Sequence, residues 1–346
     1  MHMADALLSP TVGGAMWTAT AALGVYSARK VRIAADDRKV PLMGVVGAFV
    51  FAAQMINFSI PGTGSSGHLG GGLLLAILLG PHAAFLTLAS VLAVQALFFA
   101  DGGLLALGAN VFNLGLFPCF VLYPLLYRPL AGTSPSPARL TLAATVAAVV
   151  GLQAGALGVV VETVASGVSS LPFGKFLALM LPIHLAIGLV EGLVTAAVVN
   201  FVRVADPGVL QGAAPGETGG SLRRVLLGLG LAAAVTGGGL AWFASANPDG
   251  LEWSIAGVTG QEEVEGAGGG VHETLSGLQE KTAFLPDYGF KSSGSDTDHA
   301  EESTWPAVDP GTSVSGLVGG LLTLVLAIGI GWLLRRRAAS ESTPAV

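Results

Sequence analysis

Residues 174–202 read GKFLALMLPIHLAIGLVEGLVTAAVVNFV, an almost unbroken apolar run whose ionisable side chains are Lys175, His184 and Glu191. A helix needs about 20 consecutive, predominantly apolar residues to cross the hydrocarbon core of a bilayer. This run exceeds that length, so it predicts a transmembrane helix. His184 and Glu191 are seven positions apart and therefore share one face of that helix.

The whole chain resembles this run in composition. Of its 346 residues, 52% are hydrophobic and 11% are charged, and the mean hydropathy is +0.71, whereas roughly a quarter of the residues in a soluble domain are charged. We predict an all-α polytopic membrane protein, with a seven-helix bundle followed by two further transmembrane helices. The predicted spans lie at residues 11–28, 41–60, 69–80, 82–100, 103–127, 139–165, 174–202, 224–245 and 314–334.

The third predicted span, residues 69–80, is too short to cross a bilayer as an upright helix. It begins with the glycines of residues 70–72 and ends at Gly80, directly before Pro81. Irregular backbone at membrane depth is tolerated where other parts of the protein cover it. We therefore predict a tilted, partly re-entrant helix at this point.

Lysine and arginine are distributed unevenly between the two ends of the predicted spans. With the N-terminus outside, thirteen of the 16 fall on the cytoplasmic side, and only Lys175, Lys281 and Lys291 fall outside. Cytoplasmic loops of membrane proteins carry an excess of these residues. The sequence thus predicts an extracytoplasmic N-terminus and a cytoplasmic C-terminus.

The first ten residues, MHMADALLSP, place a histidine directly after the terminal residue. The α-amino group of Met1, the amide nitrogen of His2 and Nδ1 of His2 can close fused chelate rings around one ion. A fourth nitrogen would complete the square that suits Ni(II) or Cu(II) and that low-spin Co(II) can also adopt. The amine must be free, and we expect the chain to begin at Met1 because no signal-peptide pattern opens it.

We predict that His68 is the fourth nitrogen donor. It follows a run of glycine and serine in the loop NFSIPGTGSSGHLGGG, residues 57–72, and such residues permit tight turns and close approach of another segment. The predicted orientation places this loop on the same side of the membrane as the N-terminus. The predicted metal ligands are therefore Met1, His2 and His68. The single cysteine, Cys119, excludes a multi-thiolate site and an intramolecular disulfide.

Several polar residues are candidates for holding these ligands in place. A ligating histidine usually gives its second N–H to a carboxylate or a carbonyl, and Asp5 is close to His2 in sequence. Asn57 and Asn110 are further candidates, because polar residues inside spans are costly and mark functional positions. The same reasoning singles out three residues to which the sequence assigns no role: Glu162, His184 and Glu191.

These motifs resemble the CbiM/NikM family, the substrate-binding (S) components of energy-coupling factor (ECF) transporters for cobalt and nickel. The resemblance covers about residues 1–202. It rests on MHMADALLSP at 1–10, GHL at 67–69, FADGG at 99–103, GANVFN at 108–113 and GLVEG at 188–192. In that family the first amino group, the following histidine and a loop histidine bind the ion, which implies Met1, His2 and His68 here.

The resemblance also carries implications for function. It implies import of Ni2+ or Co2+ across the cell membrane of a prokaryote, with no cofactor. The implied partners are a transmembrane coupling (T) component and two cytoplasmic ATPase subunits. Sequence alone does not choose between nickel and cobalt.

The C-terminal part resembles a second unit, the PDGLE-type, NikN/CbiN-like accessory subunit, here fused to the S component. The motifs that carry this resemblance are NPDGLE at 247–252 and LPDY at 285–288. The predicted boundaries are a metal-binding domain at 1–202, a cytoplasmic linker at 203–222, a two-span module at 223–337 with an extracytoplasmic loop at 246–313, and a tail at 338–346. The loop is polar and rich in glycine and serine, so we expect a solvated segment without a metal site.

The chain is not predicted to be an enzyme. Its nearest approach to a phosphate-binding loop, GVSSLPFGKF at 167–176, has the wrong spacing and no serine or threonine after the lysine. The main alternative is a stand-alone metal transporter or channel, which predicts flux without ATPase partners. A remote alternative is an intramembrane serine protease, since GSSG at 64–67 matches the G-x-S-G pattern and His184 could act as a base.

Overall fold

The computed structural model describes residues 2–31, 38–133, 135–210, 221–264, 269–291 and 305–341. Its helices are α1 (Pro10–Lys30), α2 (Lys39–Gln54), α3 (Gly72–Leu79), α4 (Pro81–Phe99), α5 (Leu107–Leu116), which continues through a π-helix (Phe117–Tyr127) into α6 (Arg128–Ala131), α7 (Pro137–Ser166), α8 (Phe173–Ala205), α9 (Leu222–Gly238), α10 (Gly250–Thr259), α11 (Gly270–Thr282) and α12 (Pro310–Glu341). An antiparallel hairpin pairs β1 (Phe58–Ile60) with β2 (Ser65–Gly67). Met1, residues 211–220 of the predicted linker and residues 342–346 of the predicted tail lie outside the described residues.

Within the described residues, five helical segments are long and apolar enough to cross a membrane. They are Pro81–Phe99, Leu107–Ala131, Pro137–Ser166, Phe173–Ala205 and Pro310–Arg336. The prediction of an all-α polytopic membrane protein is therefore confirmed. Helices α1, α2 and α9 occupy three more of the predicted spans, and α3 has only 8 residues, as expected for the short third span.

Two predicted spans continue several residues past the C-terminal ends of their helices. The span at 41–60 overruns α2, which ends at Gln54, because Phe58–Ile60 pairs with Ser65–Gly67 as a strand. The span at 224–245 overruns α9, and Leu240–Phe243 forms a separate 3-10 turn. Hydropathy reports how apolar a segment is and not which hydrogen bonds it makes, so it could not separate these ends from the helices.

Helix α1 begins at a Ser-Pro pair that also ends the N-terminal arm, which we define as residues 2–9. The hydroxyl of Ser9 accepts a hydrogen bond from the Val12 N–H at 3.3 Å, and Pro10 occupies the first helical position. The serine satisfies an N–H that has no partner within the helix, and proline has no N–H to leave unpaired. This local signal fixes where the arm meets α1.

Helices α7 and α8 pack closely through glycines of α8. A Cβ atom on Gly192 would lie 2.3 Å from the Cα of Thr145, and one on Gly188 would lie 2.7 Å from the Cα of Val149. Small residues let helix backbones approach each other in a bilayer, where close packing drives association. The glycines of the GLVEG motif therefore have a structural role.

Helices α9 and α12 extend the bundle beside α2. Gly237 of α9 and Gly316 of α12 approach backbone to backbone, and Gly319 of α12 leaves room for the ring of Phe51 in α2. After α9 the chain reaches the hairpin region, where the Ser245 N–H donates to the carbonyl of Asn57 at 2.7 Å. The segment between α9 and α12 therefore starts at the end of the bundle that carries the hairpin.

The described residues of this segment fold into helices and turns and do not form the predicted loop, although most of them remain exposed or half-buried. We call residues 246–264, 269–291 and 305–309 the cap; they include α10 and α11. Polar side chains of the cap bond to backbone carbonyls of the hairpin turn, the arm and the bundle. The pairs are Trp253 with Thr63, His272 with Leu8, and Gln279 with Ala96 and Gly102.

We expect Gly192→Ala to destabilise the bundle, because the added methyl group would meet the backbone of Thr145. Overpacking a close contact of this kind costs about 1–3 kcal/mol. The matched control is Gly230→Ala in α9, where a Cβ atom would meet nothing within 4 Å and where alanine gains helix propensity. Thermal unfolding in detergent should show a lower midpoint for Gly192→Ala only. Equal midpoints would contradict the role assigned to this contact.

Candidate metal-binding site

The N-terminal arm is inserted into the bundle. Met3, Leu7 and Leu8 are buried. The Met3 N–H donates to Oδ1 of Asn110 at 2.8 Å, and Nδ2 of Asn110 donates back to the Met3 carbonyl at 3.2 Å. The Gly103 N–H donates to the same carbonyl at 2.9 Å. Asn110 thus satisfies both backbone groups of the residue next to His2 and holds the arm in place.

The two predicted histidines come together at the inner end of this arm. The imidazole rings of His2 and His68 are stacked, with their centroids 4.9 Å apart and their planes at 20°. Both side chains are largely buried, with 6% and 8% of their surface exposed. One histidine comes from the arm and the other from the loop after the hairpin, so the fold brings residues 66 positions apart into contact.

The hairpin positions His68, and the carbonyl of the next residue sets its tautomer. Gly62 and Gly64 have φ angles of +78° and +73° in its turn, a conformation that favours glycine, and β2 leads directly into His68. Nδ1 of His68 lies 3.1 Å from the carbonyl of Leu69. This contact places the ring hydrogen on Nδ1 and leaves the lone pair on Nε2. Burial lowers the pKa of His68 to about 3, so the ring is neutral at physiological pH, as a metal ligand must be.

The carboxylate beside His2 is Asp101, a residue of the FADGG motif that the sequence analysis did not assign. Oδ1 of Asp101 lies 2.8 Å from Nδ1 of His2. Burial would raise the pKa of Asp101, but the electrostatic interaction with His2 and the hydrogen bonds from His2 and Tyr288 hold that pKa below its usual range. Nε2 of His2 is buried and has no hydrogen-bond partner among the described residues. Nδ1, the nitrogen that the predicted chelate requires, therefore faces Asp101.

Asp5 and Asn57 were expected to support the metal ligands, and both form hydrogen bonds with backbone groups of other segments. The carboxylate of Asp5 accepts the Ala106 N–H at 2.9 Å. Its Oδ1 would lie 1.8 Å from a Cβ atom on Gly103, so only glycine fits at that position. Asn57 contributes its backbone carbonyl to Ser245. Asp5 thus anchors the arm to the segment before α5, and Asn57 connects the hairpin to the end of α9.

The cap approaches His68 through the NPDGLE motif. The Pro248 carbonyl accepts the Ser66 N–H at 2.8 Å, which attaches the motif to β2. Oδ1 of Asp249 accepts the N–H groups of Leu251 and Glu252, as the N-terminal cap of α10. Oδ2 of Asp249 lies 3.9 Å from Nε2 of His68. The motif therefore combines a helix start with a carboxylate directed at a predicted ligand.

A second part of the cap contacts the arm and the FADGG loop. Nε2 of His272 lies 2.9 Å from the carbonyl of Leu8 in the arm. Nε2 of Gln279 donates to the carbonyls of Ala96 and Gly102, at 2.8 Å each. The hydroxyl of Tyr288 donates to Oδ2 of Asp101. The cap thus contacts the arm, the FADGG loop and the loop that carries His68.

The ionisable residues inside the bundle have structural partners. Glu191 accepts the N–H groups of Gly70 and Gly71, at 2.8 and 3.1 Å, and so holds the two residues that precede α3. Glu162 accepts from Nδ2 of Asn113 at 2.8 Å. His184 is buried beneath the cap, where a Cβ atom on Gly250 would lie 3.3 Å from its Cε1.

The contacts of Ser66 and His184 do not form a Ser-His dyad. The hydroxyl of Ser66 donates to the carbonyls of Asn247 and Pro248, at 2.8 and 3.2 Å. Nδ1 of His184 lies 2.8 Å from the carbonyl of Met180. A nucleophilic serine has to be within hydrogen-bond reach of its base, and here the two side chains bond to other groups.

Side chains alone do not build a complete metal site in the described part of the chain. No group of three or more His, Cys, Asp and Glu residues there is arranged to hold an ion. The predicted donor set takes two of its four nitrogens from the terminal amine and the His2 amide, and Met1 lies outside the described residues. The roles of Met1, His2 and His68 as ligands therefore remain a prediction, which the proximity of the two histidines supports.

Comparison with known proteins places both parts of the chain. Residues 2–209 match the family described as "Cobalt uptake substrate-specific transmembrane region", and residues 223–336 match the PDGLE domain. A putative fused nickel transport protein NikMN of Archaeoglobus fulgidus is 34% identical over 344 residues, which cover 95% of this chain and 98% of that protein. The fused nickel transport protein NikMN of Rhodobacter capsulatus is 32% identical over 78% of this chain and 81% of its own length.

Solved structures agree with these sequence matches. A crystal structure of a truncated transition metal transporter superposes with a TM-score of 0.52 at 32% identity, and covers 59% of this chain and 99% of its own. A second transition metal transporter gives a TM-score of 0.53 over 60% of this chain and 94% of its own. On this evidence, the chain belongs to the CbiM family of membrane components of metal transporters and carries a C-terminal PDGLE domain.

Proposed function

We propose that this protein is the ion-capturing S component of an ECF importer for Ni2+ or Co2+. In this proposal the ion is held by the amino group of Met1, the amide nitrogen and Nδ1 of His2, and Nε2 of His68. The observation that carries the proposal is the stacking of His2 on His68 at the inner end of an inserted arm. Relatives named as nickel and cobalt transport proteins support it independently.

The chemistry of the donors favours an ion that accepts planar nitrogen coordination. Carboxylate and water ligands suit Mg2+ and Ca2+, whereas imidazole nitrogen suits Ni, Cu and Zn, and a square of nitrogens suits Ni(II) or Cu(II). The tautomer of His68 directs an Nε2 lone pair away from the Leu69 carbonyl. Its burial keeps the ring neutral, so binding would not have to displace a proton from His68.

Import also requires partners that supply energy. The family resemblance implies a T component and two cytoplasmic ATPase subunits, and we assign these as the partners of this chain. The excess of lysine and arginine on one side favours an extracytoplasmic N-terminus. With this orientation, the arm, the hairpin and the cap face the outside, where the ion is captured, and the C-terminus is cytoplasmic.

We assign to the cap the task of keeping the arm inserted. It contacts the arm at Leu8 through His272, the FADGG loop at Gly102 through Gln279, and β2 at Ser66 through Pro248. A terminal segment is poorly ordered unless other parts of the chain hold it. A chelate that includes the terminus gains affinity when that terminus is already held in its binding position.

The first test of the proposal is His68→Ala. We expect Ni2+ affinity, measured by titration calorimetry on purified protein, to fall by more than about 100-fold, since loss of a residue that only supports a metal ligand already costs 10–100-fold. The matched control is His82→Ala, at the start of α4 beside Tyr26 and Phe120. It should bind Ni2+ like the parent protein. Unchanged affinity in His68→Ala would remove this residue from the site.

The role of the cap is tested by Gln279→Ala. This change removes two hydrogen bonds to the segments around Asp101, each worth about 1 kcal/mol. We expect Ni2+ affinity to fall by roughly 10-fold, because part of the binding energy would be used to order the arm and its surroundings. The control is Gln261→Ala, whose exposed side chain follows α10. If both variants bind Ni2+ like the parent protein, the cap does not support the site.

A further inference from the structure

Tyr288 of the cap is connected to His2 through one intermediary, Asp101. Its hydroxyl donates to Oδ2 of Asp101, and Oδ1 of the same carboxylate contacts Nδ1 of His2. The two oxygens of Asp101 are thus divided between a residue of the fused module and a predicted ligand. Tyr288 belongs to the LPDY motif, which neither the fold nor the proposed function has yet explained.

The ring of Tyr288 is fixed by aromatic neighbours in the bundle. It stacks on Phe99 with the centroids 5.0 Å apart and the planes at 18°, and it meets Phe51 edge to face at 6.3 Å. Offset and edge-to-face pairs of this kind are the preferred arrangements of aromatic rings. The ring therefore holds the hydroxyl in a defined position relative to Asp101.

The backbone at this position is unusual as well. Asp287 and Tyr288 have φ angles of +50° and +60°, in the left-handed region that residues other than glycine rarely adopt. Such conformations cost free energy and persist only where the surrounding structure determines them, which occurs often at functional sites. Two consecutive residues of this kind indicate that the turn is shaped to deliver the Tyr288 side chain.

We propose that Tyr288 is a positioning residue of the metal site, which acts through Asp101 to set the orientation of the His2 imidazole. This inference rests on the proposed function, because it assumes that His2 is a ligand. It assigns to the PDGLE module a specific chemical contribution to the site, in addition to its contacts with the arm.

The contacts of the two ring nitrogens of His2 define the orientation that Asp101 would control. Nδ1 of His2 faces Asp101, while Nε2 of the same ring is buried and has no partner among the described residues. A half-turn of the ring about the Cβ–Cγ bond exchanges its two edges. Cδ2 then takes the place of Nδ1 opposite Asp101, Nε2 lies further along the same edge of the ring, and Nδ1 is released from the carboxylate for the chelate. Asp101 accepts a hydrogen bond from Nε2 in this second orientation after a small shift of its carboxylate along the ring edge, provided that the carboxylate stays beside the ring.

Tyr288 holds that carboxylate. Asp101 follows α4 directly, with Ala100 at a φ of +57° as the C-cap, and its side chain is 25% exposed. Without the hydroxyl of Tyr288, one oxygen of Asp101 loses its partner and the group can rotate toward solvent. His2 would then lose the acceptor that orients its ring, which is the usual means by which a carboxylate tunes a histidine ligand.

The test compares Tyr288→Phe with Tyr123→Phe in the full-length protein loaded with nickel alone. Phenylalanine keeps the aromatic packing at position 288 and removes only the hydroxyl. Tyr123 is a buried tyrosine in the membrane bundle that stacks on Tyr127, so its variant controls for loss of a hydroxyl in general. Two readouts are recorded: the rate of Ni2+ release to excess chelator, and the ligand-field absorption of the bound ion.

We expect Tyr288→Phe to release Ni2+ about 10-fold faster or more and to shift the ligand-field spectrum, because the ring of His2 is less well oriented. Tyr123→Phe should match the parent protein in both readouts. Asp101→Asn should resemble Tyr288→Phe, and the double variant should release Ni2+ no faster than the faster single variant, since both changes act on one interaction.

Several results would overturn the inference. If Tyr288→Phe and the parent protein have the same release rate and spectrum, the hydroxyl does not position His2. If the effects of Tyr288→Phe and Asp101→Asn multiply in the double variant, Tyr288 acts independently of Asp101, for example by general closure of the cap. If the parent protein binds no nickel or cobalt, the proposed function fails together with this inference, and that result is distinct from the other two.

Discussion

The insertion of the N-terminal arm is the constraint on which the site depends. Asn110 contacts both backbone groups of Met3, while Asp5 is anchored to the Ala106 N–H and would clash with any side chain at position 103. These contacts hold the N-terminal arm against the loop that carries His68. The packing of the bundle thus makes the arm a defined part of the fold.

The cap adds a second constraint around the first. Through Asp249 and Tyr288 it reaches both histidines, one at 3.9 Å and the other by way of Asp101. The same segment covers the arm at Leu8 and pairs with β2 at Ser66. Fusion of the PDGLE domain to the CbiM-like part keeps these contacts within one chain, since α9 and α12 hold the cap at both of its ends.

The sequence was informative where the chemistry is local. The apolar runs predict the helices because each helix satisfies its own backbone groups. The position of His2 next to the terminus suggests a chelate without knowledge of the fold, and the glycines before His68 indicate a loop that can approach it. Asn110 could be singled out because a polar residue inside a span is costly.

The sequence did not predict contacts between residues that lie far apart in the chain. Asp101 lies 99 positions from His2 and 187 from Tyr288, and nothing local marks it as their common partner, so Asp5 was the expected carboxylate. The polar composition of residues 246–313 suggested a loop. Composition does not show that the side chains of Trp253, His272 and Gln279 bond to carbonyls of the hairpin turn, the arm and α4.

The central claim is that the terminal amine and His2 bind the ion together. Elemental analysis of C-terminally tagged protein tests it most directly, with the native start compared with a start extended by several residues other than histidine ahead of Met1. Our account predicts that the native form retains nickel or cobalt after purification and that the extended form retains neither, because the extension removes the free amine from the chelate. Equal amounts of metal in the two forms would contradict it.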